Sequence, residues 1–148
     1  MAAITANPLV RLVAIGFVAG ALSVLTFHQA GVALVQLLSG TPLSLYPMRS
    51  FGPFGVPLIL NLAFWGGVWG IVIWWAIGRF GGRWPAWAIG LVLGVIGATA
   101  VGWFIAAAIK GQDISGGFAL ARIWRGPLIN GVFGLGAALI APQLARRI

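Results

Sequence analysis

The sequence predicts an all-α membrane protein: a single integral domain over residues 1–148, built as a bundle of four transmembrane helices from a duplicated two-helix hairpin. Three observations predict it. Hydrophobic residues make up 61% of the chain and charged residues 7%, whereas a soluble domain carries about 25% charged residues. The charges are clumped, so that residues 12–48, 50–78, 84–109 and 126–145 contain no Asp, Glu, Lys or Arg. Short motifs in the first half return in the same order in the second.

Each charge-free run is long enough for a span of about 20 apolar residues. The expected helices cover roughly 9–28, 56–78, 85–109 and 126–144. A backbone in lipid must satisfy its own hydrogen bonds, which favours helices. A β-barrel would need alternating polarity, and Leu91–Val101 is apolar on every face. The first run exceeds one span. His28 and Gln29 close its most apolar stretch, so either a helix lies in the interface after a break there, or one tilted helix continues to Ser39. The connector that follows holds Pro42, Pro47 and Pro53, with Tyr46, Phe51 and Phe54. It is expected to fold back on the membrane surface. The first apolar run is longer than a signal peptide's, so the first helix is expected to be retained.

The repeat rests on three sets of matches. Ala14-Ile15-Gly16 and Gly20 match Ala88-Ile89-Gly90 and Gly94. Pro57-Leu58-Ile59 and Asn61 match Pro127-Leu128-Ile129 and Asn130 across a one-residue gap, and Phe64 and Gly67 then match Phe133 and Gly136. The copies would be 9–78 and 83–144, related by an axis along the membrane normal.

Lipid is as apolar as Leu, so close packing at small residues must hold such helices together. Gly16 and Gly20, Gly66 and Gly70, and Gly90, Gly94, Ala98 and Gly102 form stripes at four-residue spacing and are the expected packing surfaces. Gly131, Gly134 and Ala138 continue the pattern in the fourth helix. Gly94→Leu is expected to be disruptive and Gly94→Ala milder. Trp74, Trp75, Trp84 and Trp87 flank the Arg79–Arg83 loop as an aromatic belt, with Trp103 and Trp124 at the other face. Trp65 and Trp69 are expected to fill space opposite the glycines.

The chain has one His, one Asp, no Glu and no Cys. A carboxylate pair and a cysteine-ligated metal are excluded, and no enzyme, cofactor or metal site is expected. His28 reads as an interfacial side chain at a helix end, and Asp113 as a local partner of Lys110. Asn61 and Asn130 are the candidate polar pair: symmetric interhelical glue first, contacts to a solute second. The net charge of +8 places Arg49, Arg122 and Arg125 near those asparagines, and Arg79 and Arg83 at the other face. These arginines are the candidate contacts to anionic lipid headgroups or a small anion. Nucleic acid is not an expected partner.

The distribution of Lys and Arg favours both termini inside, with Arg11, Arg79, Arg83, Arg146 and Arg147 cytoplasmic. Phe51-Gly52-Pro53-Phe54-Gly55-Val56-Pro57, running into Asn61-Leu62-Ala63-Phe64-Trp65-Gly66-Gly67-Val68-Trp69-Gly70, resembles small uncharacterised four-span inner-membrane proteins of Gram-negative bacteria. The resemblance implies a bacterial inner membrane and no particular activity. The expected function is that of a small non-enzymatic membrane protein that packs with itself or with a larger membrane complex. The alternative is a dimeric channel or transporter for a small anionic or neutral solute.

Overall fold

Four helices are long and apolar enough to cross a membrane: α1 (Pro8–Ser39), α2 (Leu58–Phe80), α3 (Ala86–Ile109) and α4 (Arg125–Ala145). The computed structural model describes residues 7–109, 111–113 and 119–147. Mean hydropathy in the spans runs from 1.6 to 2.2, so the chain is a multi-pass, all-helical membrane protein. Local chemistry sets the starts. Asn7 accepts the Leu9 N–H through its side chain at 2.9 Å, with Pro8 at the first helical position. Pro57 and Pro85 immediately precede α2 and α3.

The first helix departs from the expected 9–28. It runs unbroken for 32 residues, about 48 Å at 1.5 Å per residue, and so exceeds a hydrocarbon core of about 30 Å. His28 therefore lies inside the helix, at the end of a wide π-type turn over Val24–His28. The His-Gln pair does not end the helix because Gln29 is buried and anchored. Its Oε1 accepts the Tyr46 N–H at 3.0 Å and its Nε2 donates to the Val24 carbonyl at 3.4 Å. The Tyr46 hydroxyl donates to the Leu25 carbonyl at 2.9 Å. These bonds hold Tyr46 in the left-handed region, at φ 47°, which is uncommon for a residue with a side chain.

The connector thus folds back along α1 itself, returning from Ser39 to the level of Leu25. A two-stranded antiparallel ribbon follows: β1 (Ser50–Phe51) pairs with β2 (Val56–Pro57), with Ser50 opposite Pro57. Its loop turns through Gly52 and Gly55, both at positive φ. The ribbon segment then supplies acceptors for the start of α2. Leu58 N–H donates to the Arg49 carbonyl and Ile59 N–H to the Pro47 carbonyl, each at 3.0 Å.

The helices meet at glycines. A Cβ on Gly20 would land on the Gly66 carbonyl oxygen and stand 2.8 Å from the Gly70 Cα. A Cβ on Gly16 would stand 2.6 Å from the Ile71 Cα. The second pair of helices repeats the arrangement. A Cβ on Gly90 would land on the Gly134 carbonyl, and one on Gly94 on the Asn130 carbonyl, 3.2 Å from the Gly131 Cα. Real Cβ atoms essentially never approach backbone below 3.0 Å, so these four positions admit hydrogen only. Gly94→Ala is consequently not the mild change expected from the sequence: its first carbon already meets backbone.

α4 lies at the centre and α3 at the margin; 39% of an apolar 18-residue window of α4 is buried against 17% of the corresponding window of α3. Val24, Ile59, Ile73, Phe133, Ala137 and Ala138 form the main core. Ile15, Ala19 and Ala141 form a second cluster toward the Arg79–Arg83 end. Ser23 ties α1 to α4, its hydroxyl donating to the Phe133 carbonyl at 2.7 Å. Arg11 Nη2 donates to the Ala145 carbonyl at 2.8 Å, placing a cation at the C-terminus of α4, where the helix dipole favours it.

The glycine stripe of α3 does not pack along its whole length. Gly102 is exposed, and the position of its Cβ meets nothing within 4 Å. Two π-type stretches, Leu93–Ala98 and Val101–Ala106, interrupt the helix there. Within and after the second of them, Phe104, Ile105 and Ile109 are exposed. The shift in helical phase carries the outer half of α3 away from α2, while Trp103 stays against the Gly126 position of α4.

This pattern generates a stability prediction. Gly20→Ala should cost about 1–3 kcal/mol of stability by overpacking. Gly102→Ala should be neutral or gain up to about 1 kcal/mol of helix propensity. Thermal unfolding in one detergent, followed by intrinsic Trp fluorescence, checks both. Equal melting temperatures for the two variants would contradict the contacts.

Candidate binding cleft between α2 and α3

Where α3 leaves the bundle, a cleft of about 520 Å³ opens. Trp65, Gly66 and Trp69 of α2 form one wall, and Ala98, Gly102, Ile105 and Ala106 of α3 form the other. Val24 and His28 of α1 and Phe133 of α4 line its floor, and Phe51 of the ribbon stands at its rim. It extends about 12 Å along α2, from Asn61 to Trp69, and about 16 Å along α3, from Ala98 to Ile109, at 1.5 Å per residue. Its volume falls within the roughly 300–1,000 Å³ typical of small-ligand sites.

The cleft is closed toward the Arg79–Arg83 end. There the indole of Trp69 crosses to α3, with ring carbons 3.0 and 3.1 Å from where a Gly97 Cβ would be. The glycine contacts of Gly90 and Gly134 lie further along. Trp69 thus packs opposite a glycine, as expected, and also lines the cavity, whereas Trp65 lines the cavity. Trp65 is 56% exposed and stacks edge-on against Phe64 at 5.6 Å.

Both candidate asparagines line this cleft, together with His28. Their heights follow from the packing. Val24 touches the Gly66 position, and α1 runs antiparallel to α2, so His28 stands about level with Leu62. The Phe133 ring approaches the same Gly66 position at 3.4 Å, and α4 runs parallel to α2. Asn130 therefore comes within about one turn, ~5 Å, of the height of Asn61. Three polar side chains thus face an otherwise apolar cleft.

The two asparagines are not symmetric glue. Asn130 Nδ2 donates to Thr99 Oγ1 at 3.1 Å, and Thr99 donates to the Gly94 carbonyl at 3.2 Å, five residues back across the π-type turn. That chain joins α4 to α3. Asn61 makes no side-chain hydrogen bond among the described residues. His28 has one weak contact there, its Nδ1 accepting from Gln29 Nε2 at 3.4 Å. The backbone contacts also follow a different register from the sequence match. Gly66 and Gly70 take the places of Asn130 and Gly134, an offset of 64 residues rather than the 69 that relates Asn61 to Asn130.

Arg49, Arg122 and Arg125 stand at the ribbon end of the bundle, where α2 and α4 begin. Arg49 and Arg122 are exposed. Arg125 is turned toward the connector, where Nη2 donates to Thr41 Oγ1 at 3.0 Å while its buried Nε has no partner among the described residues. Arg79 and Arg83 are exposed at the opposite end, with the Arg79 guanidinium over the Phe80 ring at 5.4 Å. Trp75, Trp84 and Trp87 around them are each more than half exposed, as a belt requires. No group of three or more metal-ligating side chains occurs among the described residues. Lys110 lies outside the described residues, and with it the expected Lys110–Asp113 pairing.

Comparison with known protein families, with curated proteins and with solved structures finds no match.

The hydrogen bonding separates the two asparagines experimentally. Thr99→Val removes both the acceptor for Asn130 and the link to Gly94, and should destabilise by about 0.6–2 kcal/mol. Asn61→Leu removes no internal bond and should leave stability within about 0.5 kcal/mol. Melting temperatures of the two variants decide. A larger loss from Asn61→Leu would restore the symmetric role.

Proposed function

We propose that the protein is a non-enzymatic membrane protein that holds a neutral or anionic guest in the cleft between α2 and α3. One observation carries this reading: Asn61, Asn130 and His28 face a single open cleft, and Asn61 has no internal hydrogen-bond partner among the described residues. A polar side chain at membrane depth is costly unless something pairs with it. An assembly subunit acting through this pair would bond both amides to neighbouring helices, whereas here only Asn130 is so bonded among the described residues and Asn61 lines the cleft. The closed, glycine-packed half below the cleft favours a one-ended binding site over a through-pore.

Self-association or incorporation into a larger complex is the second reading. The outer half of α3 supports it, because Val101, Phe104, Ile105 and Ile109 offer an apolar surface beside the small residues Ala98, Gly102 and Ala106. The single His and Asp and the lack of Glu and Cys support the non-enzymatic assignment. We further place the chain in a bacterial inner membrane with both termini inside. Duplication of a hairpin is supported by the paired glycine contacts and by the match of Ala14–Gly20 to Ala88–Gly94; the second helices would have slipped by five residues since.

Two measurements test these assignments. Neutral and anionic amphiphiles should raise the melting temperature of the wild type, by mass action on the folded state. They should not raise that of Gly102→Leu, whose side chain fills the cleft. An equal shift in both proteins would contradict a guest in the cleft. For orientation, reporter fusions after residues 81, 112 and 148 should read inside, outside and inside. An inverted pattern would overturn the orientation alone, and opposite sides for 81 and 148 would overturn the span count.

A further inference from the structure

We propose that a second site lies at the Arg79–Arg83 end of the bundle: a groove where α1, α2 and α4 meet, which binds the phosphate of an anionic phospholipid headgroup through Arg11. The groove has a volume of about 260 Å³. Pro8, Leu12 and Ile15 of α1, Trp74 of α2 and Ala145 of α4 line it together with Arg11. It shares no residue with the cleft between α2 and α3.

The placement of the guanidinium carries the proposal. Arg11 Nη2 donates to the Ala145 carbonyl at 2.8 Å. Ala145 closes the α4 span, and the last carbonyls of a helix have no partner within it. The bond therefore caps α4 and holds the Arg11 side chain at the groove. A guanidinium has five N–H groups. One is committed to Ala145; the others have no partner among the described residues and are not buried. A planar fork with open N–H groups fits two oxygens of a phosphate.

Depth fits a lipid. The α4 span from Arg125 to Ala145 has 21 residues, about 30 Å at 1.5 Å per residue, which is the thickness of a hydrocarbon core. Arg11, bonded at its end, stands at the boundary where lipid phosphates lie. From Arg11 to Ile15 the groove runs about one turn, ~6 Å, toward the membrane interior. Leu12, Ile15 and the Trp74 ring wall that part, and the Trp74 indole N–H has no partner among the described residues. An apolar body with one polar tip is suited to the glycerol region of a lipid.

Charge selects an anionic headgroup. Arg11, Arg146 and Arg147 are exposed at this end, and Arg79 stands in the last turn of α2. The chain's single acidic side chain, Asp113, follows the far end of α3. An ammonium headgroup would thus meet arginines and no carboxylate side chain. Basic residues at a membrane surface attract anionic headgroups, by about fivefold in affinity per residue.

Native mass spectrometry tests the proposal, with phosphatidylglycerol and phosphatidylethanolamine of identical acyl chains titrated into the delipidated full chain. The wild type should retain one phosphatidylglycerol, in preference to phosphatidylethanolamine. Arg11→Gln should lower that preference by at least about fivefold. The count is made on folded protein, so a weaker cap on α4 does not imitate a lost site. Arg146→Gln with Arg147→Gln changes exposed side chains alone; it should melt like the wild type and also lower the preference. Gly102→Leu, which fills the cleft, should keep it. The neutral amphiphiles of the cleft test carry no phosphate and read the cleft alone. If Arg11→Gln retained phosphatidylglycerol like the wild type, Arg11 would only cap α4 and the proposal would fall. If Arg11→Gln did not fold, an unchanged preference in the Arg146 and Arg147 variant would overturn the proposal. Loss of the preference in Arg49→Gln with Arg122→Gln instead would move the anion site to the ribbon end and overturn it too. Loss in Gly102→Leu alone would place the lipid in the cleft, so that this proposal fell and the cleft reading stood. Displacement of the lipid by glycerol 3-phosphate would support the phosphate site and overturn the lipid as its source.

Discussion

The arrangement depends on glycine-to-backbone contact. In water a helix bundle is driven together by burying apolar surface; between lipid and protein that gain disappears, and close approach of backbones with a few hydrogen bonds must replace it. Gly16 and Gly20 press on α2, and Gly90 and Gly94 press on α4, with no room for a methyl group at any of them. Those contacts fix how far the helices approach. They also fix which surfaces stay apart: α4 takes the centre, and the outer half of α3 diverges from α2 while its Trp103 still reaches the Gly126 position of α4. The cleft opens along that divergence.

The few internal polar bonds fall where the glycine contacts alone would leave the bundle underdetermined. Ser23 to the Phe133 carbonyl sets α1 against α4, and Asn130 to Thr99 sets α4 against α3. The Gln29 and Tyr46 bonds bring the connector back down α1. The returning connector positions the ribbon, whose segment caps α2 and places Phe51 at the cleft rim. Thus the two residues that look from sequence like a helix end, His28 and Gln29, organise the ribbon end of the molecule.

Much of this was legible in the residues themselves. The charge-free runs located all four spans, since length and hydropathy decide spanning. The four-residue spacing of glycines located the contact surfaces, and Trp75, Trp84 and Trp87 located a belt. The asparagines could be picked out as the polar residues of interest. Three things could not be read. Whether α1 breaks at His28 or continues to Ser39 could not be decided, because a buried Gln held by a distant Tyr leaves no local pattern; the structure takes the continuous alternative. The departure of α3 was hidden because Gly102 continues a perfect spacing while the π-type turns change the phase beneath it. The differing roles of Asn61 and Asn130 depend on Thr99, which sits in another helix, so the matched Pro-Leu-Ile motifs suggested a symmetry that the contacts do not keep.

The central claim is that paired glycine contacts close one half of the bundle and leave the other open. Magic-angle-spinning NMR of the protein in lipid, with only its glycines carbon-13 labelled, tests it most directly. The account predicts through-space cross-peaks between Gly16 and Gly70, Gly20 and Gly66, Gly90 and Gly134, and Gly94 and Gly131, and none from Gly102 to another helix. Interhelical cross-peaks from Gly102 to Gly66, or loss of the four pairs, would contradict it.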